Sequence, residues 1–156
     1  MAKNSLRFAL MAAIVLSFGQ PMSSSGQSDS VRDKLTGAWR LVSDEVQAPD
    51  GKMVKVEQTG VLIYSRDGHM AVEIMDATGA AAGAGPVKYS EGGYEAYFGS
   101  FRVDETAHTV THHVEGALVR SLIGKDLTRV YSFSGRQLIL KSSRADEHWK
   151  IVWEHY

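Results

Sequence analysis

The chain contains no cysteine in 156 residues, which excludes both a disulfide framework and a lipid-attached N-terminal cysteine. It also lacks an apolar run of membrane-spanning length. The stretch from Phe8 to Phe18, interrupted only by Ser17, has 11 residues, against the roughly 20 that a transmembrane helix needs. No basic tract or stripe is present, which argues against nucleic acid or an anionic membrane surface as partner. No nucleophile motif, phosphate loop, dinucleotide fingerprint or zinc-ligand spacing occurs. The glycines from Gly79 to Gly85 lack the strand-to-helix context and the lysine that phosphate binding requires. Neither a cofactor nor a metal is therefore expected. The length allows one domain, large enough to bury a core without disulfides or structural metal.

At the N-terminus, Lys3 and Arg7 precede the apolar run, and the small, polar PMSSSGQSDS follows it. This is the layout of a cleavable secretory signal over residues 1–25, with Ser23/Ser25 or Ser24/Gly26 as exit pairs; a retained membrane anchor is the alternative. Cleavage would remove two basic and no acidic residues, taking the formal net charge from -1 to -3. The expected destination is the periplasm or the exterior. A bacterial periplasm permits disulfides without requiring them, so the missing cysteines are compatible with export. No membrane span is expected in the mature chain.

From residue 37 onward apolar residues recur with a period of two, and turn residues interrupt them at intervals suited to an all-β barrel or sandwich. Strands are expected near 38–48, 59–65, 69–76, 95–104, 108–118, 126–134, 136–142 and 147–155. Pro49-Asp50-Gly51, Arg66-Asp67-Gly68, Asp104 to Ala107 and Ser134-Gly135 supply tight-turn chemistry between neighbours. Eight strands joined in order by short turns describe an up-and-down antiparallel barrel, whose interior either fills with side chains or holds one small ligand. Ahead of it, residues 26–36 form a linker and a short helical turn, SDSVRDKLT, placed to plug one end. The one long connection, Ala77 to Gly93, is rich in alanine and glycine and reads equally as a lid or as a disordered insertion.

The stretch THHVEG places two histidines and a glutamate in close succession. Strand alternation separates them: Val110, His112, Val114, Gly116 and Leu118 share the more apolar face, expected to point inward, and His113 and Glu115 share the other. His112 and His113 therefore cannot hold one metal ion, and the pair His113/Glu115 reads as a solvated outer face. His112, an imidazole among valines, needs a hydrogen-bond partner, either a tyrosine or serine of another strand or a ligand. Leu127, Arg129, Tyr131 and Phe133 form the bulkier face of their strand. If that face is interior, Arg129 brings a permanent charge that must find an acid, water or an anionic ligand; a rim position is the alternative. Leu62 with Tyr64, or Val61 with Ile63, line the interior depending on register. Met70, Tyr97, Phe101 and Trp153 are further candidate liners, and Gly99 in YFGSF marks a sharp bend. Trp39 is large enough to close the barrel floor while Gly37 lets the chain cross beneath it.

GAWRLVS with its GxW triplet, GVLIYSRDGHMA, YFGSFRVD, TVTHHVEGAL and IVWEHY, in that order, resemble the lipocalin-like domain family of the calycin superfamily over about residues 33–156. The resemblance implies an eight-stranded calycin barrel over residues 37–156 and binding or conversion of a small apolar molecule. Where the family pattern implies a longer, partly helical segment between the third and fourth strands, this chain has the short Ala/Gly connection. The spacing Arg129-x-Tyr131 is similar to the pair that clamps a carboxylate in fatty-acid-binding relatives, although there it lies on the final strand.

Two functions follow as expectations. The first is an exported barrel that binds a small hydrophobic or amphipathic ligand through His112, Arg129, Tyr131, Tyr97, Phe101, Met70 and Trp153. The second is an isomerase-, cyclase- or dehydratase-type enzyme with His112 as general base and Tyr97 or Tyr131 as proton donor. An interaction module with a solid core is a third reading, and an empty lumen discriminates against it.

Overall fold

The computed structural model describes residues 30–77 and 93–156. The expected signal segment and most of the 77–93 connection lie outside them. Within the described residues, one α-helix, α1 (Val31–Leu35), is followed by nine strands, with a short 3-10 turn at Arg120–Leu122 between the sixth and seventh: β1 (Gly37–Gln47), β2 (Met53–Val56), β3 (Gln58–Tyr64), β4 (His69–Asp76), β5 (Tyr94–Asp104), β6 (Thr109–Ala117), β7 (Asp126–Ser134), β8 (Gln137–Ser142) and β9 (Trp149–His155). Each of β3 to β8 pairs antiparallel with its successor, and β1 pairs with β9. That last pairing closes the sheet, leaves it without a long free edge, and removes the sandwich alternative. The protein is a closed antiparallel barrel of eight staves. One stave is broken in two: β3 pairs with Gly37–Arg40 of β1 and β2 with Asp44–Gln47, with Glu57 at the break. The strand at Met53–Val56 was not among those expected from the pattern. Its exposed residues bury no face that would produce an alternating signal.

Two bulges alter the expected alternation. In β6, Glu115 is the extra residue between Val114, opposite Gly99, and Gly116, opposite Phe98. Val110, His112 and Val114 point inward as the pattern requires. Beyond the bulge the phase reverses, so Ala117 packs against the core and Leu118 is exposed, contrary to the expectation for Gly116 and Leu118. Gly99 permits the close approach at this point. A Cβ there would lie 1.9 Å from the His113 carbonyl oxygen, a contact that no side chain tolerates. The second bulge, between Leu41 and Ser43 of β1, turns Asp44 inward.

The end of the barrel at the start of β1 is packed solid. Ser30 caps α1 by accepting a hydrogen bond from the Asp33 backbone N–H at 3.2 Å, as an N-cap serine does. Leu35 is wholly buried, and Trp39 Nε1 donates to its carbonyl at 2.8 Å, satisfying the indole while locking the plug to the floor. The Arg32 guanidinium stacks 5.2 Å over Phe101. Gly37 adopts φ +138°, and a Cβ there would strike the His155 ring at 2.3 Å, so only glycine lets the chain turn from helix to barrel here. No helix of the described residues is long and apolar enough to cross a membrane.

Candidate functional site

Opposite the plugged end, the barrel is hollow. A cavity of about 440 Å³ falls in the size range of small-molecule sites. Leu62 of β3, Val72 of β4, Leu140 of β8 and Trp153 of β9 supply its apolar walls; Tyr97 of β5, His112 of β6 and Arg129 of β7 supply polar groups within it. Asp44, Gln58, Glu95 and Glu147 also line it, each placed toward the strand ends farthest from α1. The interaction-module reading needs a filled interior, and the interior here is not filled.

His112 is only 1% exposed, and both ring nitrogens are engaged. The Tyr64 hydroxyl lies 2.7 Å from Nε2 and the Tyr97 hydroxyl 3.0 Å from Nδ1. The first partner reaches across the lumen from β3, three staves away. A neutral imidazole offers one N–H and one lone pair, so one tyrosine donates and the other accepts. Tyr64 is sealed in the core and makes no other side-chain hydrogen bond to the described residues. Were it the acceptor, its own proton would be stranded, at a cost of about 1 to 3 kcal/mol. Tyr64 O–H therefore donates to Nε2, and Nδ1–H donates to the Tyr97 oxygen. The consequence falls on Tyr97, whose own O–H proton remains available to the lumen.

The charges fit this arrangement. Burial, reinforced by the nearby Arg129 cation, pushes His112 down to about 3, so the ring is neutral at physiological pH. Burial raises the hydroxyl pKa values of Tyr64 and Tyr97, and Arg129 partly offsets the effect. Arg129 itself lies 5.0 Å over the Trp149 ring and makes a long 3.4 Å contact from Nη1 to the Thr128 carbonyl. Among the described residues no carboxylate pairs with it. At the mouth, Asp44 is 7% exposed; burial first, then the Glu95 charge, push its carboxyl up to about 6, while the Glu45 backbone N–H pulls the other way.

Of the candidate site residues, the fold brings His112, Arg129, Tyr97 and Trp153 to one cavity. Tyr131, Phe101 and Met70 belong to the packed core and do not line it. Phe101 stacks on Tyr64 at 4.7 Å and Tyr131 on Phe133 at 5.8 Å. The Arg129-x-Tyr131 spacing thus places one member in the lumen and the other beneath it. His113 is on the outer wall, bonded through Nδ1 to Asp126 at 2.9 Å. Among the described residues no group of three His, Cys, Asp or Glu side chains is arranged to hold a metal ion. Sequence reasoning missed the polar mouth. Glu95 was within reach, because it alternates with Tyr97; Asp44 was not, because strict alternation from Trp39 and Leu41 puts it on the outer face until the bulge reverses the phase.

As an acid/base site the arrangement is poor at His112. A group titrating near 3 with both nitrogens occupied is a weak base at neutral pH. Its geometry makes it a positioning residue for Tyr97.

A family model described as a lipocalin-like domain matches residues 36–154. Among solved structures, the chain is similar to a lipocalin-like protein from Bacteroides uniformis, at 16% identity and TM-score 0.47, covering 79% of this chain and 99% of that one. It is also similar to an uncharacterized protein from Bacteroides eggerthii, at 15% identity and TM-score 0.45, covering 78% and 99%. No curated protein sequence matches the chain significantly.

Proposed function

We propose that this chain, which belongs to the lipocalin-like domain family, binds one small amphipathic molecule inside its barrel. The apolar body of the ligand lies against Leu62, Val72, Leu140 and Trp153, and its polar head meets Arg129 and Tyr97. Since a barrel of this kind does not by itself specify a function, the reading rests on the site. The observation that carries it is Arg129: a half-buried permanent cation on the cavity wall, ion-paired with no carboxylate among the described residues. Such a charge is costly unless something in the cavity compensates it, and an anionic or strongly accepting ligand group does so. The neighbouring Tyr97 hydroxyl, oriented by His112, adds a neutral donor.

Displacement of anilinonaphthalene sulfonate, an apolar fluorescent anion, tests the proposal. Wild-type protein binds the dye and releases it to medium-chain fatty acids, while Arg129→Ala weakens both by about tenfold or more, the usual value of a charge-assisted hydrogen bond. A folded protein that binds neither dye nor fatty acid would end the proposal. We further propose that the chain is exported after cleavage of a signal over residues 1–25, supported by Lys3, Arg7, the short apolar run and the small polar exit. The intact mass of protein recovered from the periplasm or medium reads this directly, and an uncleaved mass there refutes it.

A further inference from the structure

The unpartnered polar atoms of the cavity are sorted by kind. Trp153 Nε1, a donor only, is buried without a partner among the described residues, low on β9. It belongs with the free proton of Tyr97 and with the Arg129 guanidinium, whose one hydrogen bond to the described residues is the long contact to the Thr128 carbonyl, so the donors here outnumber the acceptors. On the mouth side the unpartnered atoms are acceptors: Asp44 Oδ1 and Gln58 Oε1 are buried and make no hydrogen bond with the described residues. The Gln58 amide is held with Nε2 donating to Asp76 Oδ1 at 2.9 Å, which leaves its buried oxygen without a partner among the described residues. Asp44 and Arg129 line one cavity without forming an ion pair, and Glu95 adds negative charge on the Asp44 side, whereas Glu147 is paired with Arg144 at 3.2 Å. Buried polar groups are rarely left unmatched without a reason, and here two sets of opposite character stand apart in one lumen.

We infer that the lumen takes a dipolar ligand, with a carboxylate or similar acceptor group at Arg129 and Tyr97 and a protonated amine at Asp44 and Gln58 beside the mouth. The inference rests on the binding function proposed above and adds the outer group. A primary ammonium supplies three donors for the Asp44 carboxylate and the Gln58 side chain, both of which line the cavity. The Glu95 carboxylate favours the same sign of charge. A plain fatty acid meets the donor set and leaves the acceptors unmatched.

The test is a competition series by dye displacement or calorimetry, in which ω-amino acids from aminobutanoate to aminodecanoate are each compared with the fatty acid of equal length. Wild-type protein prefers the amino acid by about tenfold at the length that spans the two sets, the value of one charge-assisted contact. Asp44→Asn abolishes that preference while still binding the fatty acid, and Gln58→Leu reduces it. Fatty acids that bind as well as or better than their amino analogues at every length overturn the inference and leave the proposed function standing. A preference that survives Asp44→Asn overturns it equally. If no compound of either series binds, both fall. The wild-type comparison needs no variant, so a variant that fails to fold does not rescue the inference.

Discussion

Replacing His112 by glutamine removes a proton-binding site from the barrel wall while keeping one donor and one acceptor for Tyr64 and Tyr97. In the folded chain the imidazole is held near 3, against an ordinary value of 6.5. On acidification the unfolded chain takes up a proton at this residue near pH 6.5 and the folded chain only near pH 3. The contribution of His112 to stability is therefore complete above pH 6.5 and is lost as pH falls through that interval. Each pH unit within it costs about 1.4 kcal/mol, so acidification from pH 6.5 to 4.5 removes about 3 kcal/mol through this one group. Other carboxylates titrate in the same range, so the measured quantity is the difference between wild type and His112→Gln. Urea denaturation at a series of pH values gives unfolding free energies whose difference shrinks steadily from pH 6.5 downward, because the variant has no imidazole to protonate. Parallel loss of stability in both proteins would refute a neutral, desolvated His112 bridging two tyrosines.

Asp44→Asn has the opposite sign. A carboxyl raised to about 6 destabilises the folded state above that pH and not below 3.8, so the variant is more stable by roughly 1 to 3 kcal/mol at pH 8. The gain disappears by pH 4 in the same denaturation series; an unchanged gain at pH 4 would show that the charge was not its source. Tyr64→Phe and Tyr97→Phe each remove one hydrogen bond to His112 and lower stability by about 1 to 2 kcal/mol. Only Tyr97→Phe is expected to weaken fatty-acid binding, and unchanged binding in that variant would reverse the tautomer assignment. Gly99→Ala puts a Cβ 1.9 Å from the His113 carbonyl and forces β5 and β6 apart. Thermal unfolding should drop by at least about 5 °C, corresponding to a loss of about 1 kcal/mol or more; an unshifted midpoint would mean that the bulge relaxes freely.

Much of the barrel was legible along the chain because strand alternation is a local property. Val110, His112 and Val114 face inward for the same reason that Leu127, Arg129, Tyr131 and Phe133 do: each bulky or apolar set lies two residues apart on a strand whose other face is mostly polar. The turn at Arg66-Asp67-Gly68 and the Gly37-Ala38-Trp39 entry were equally readable, since φ > 0 at Gly37 and Gly68 and a floor tryptophan are requirements of a few consecutive residues. What alternation does not report is height along the barrel axis. Arg129 and Tyr131 share a face, yet the first opens onto the cavity and the second is packed in the core.

The sequence by itself determined a mainly β chain, the order of its staves and the inward direction of His112, and it left Arg129 open between the lumen and the rim. Only the tertiary structure decided which of these groups meet. The pairing of β1 with β9 closed the sheet, and closure brought Tyr64 across the lumen to His112, a contact between residues 48 positions apart that no local period encodes. The extra residue in β1 then turned Asp44 from the outer wall to the mouth. A bulge depends on how two strands fit each other, and alternation along one strand carries no record of its partner.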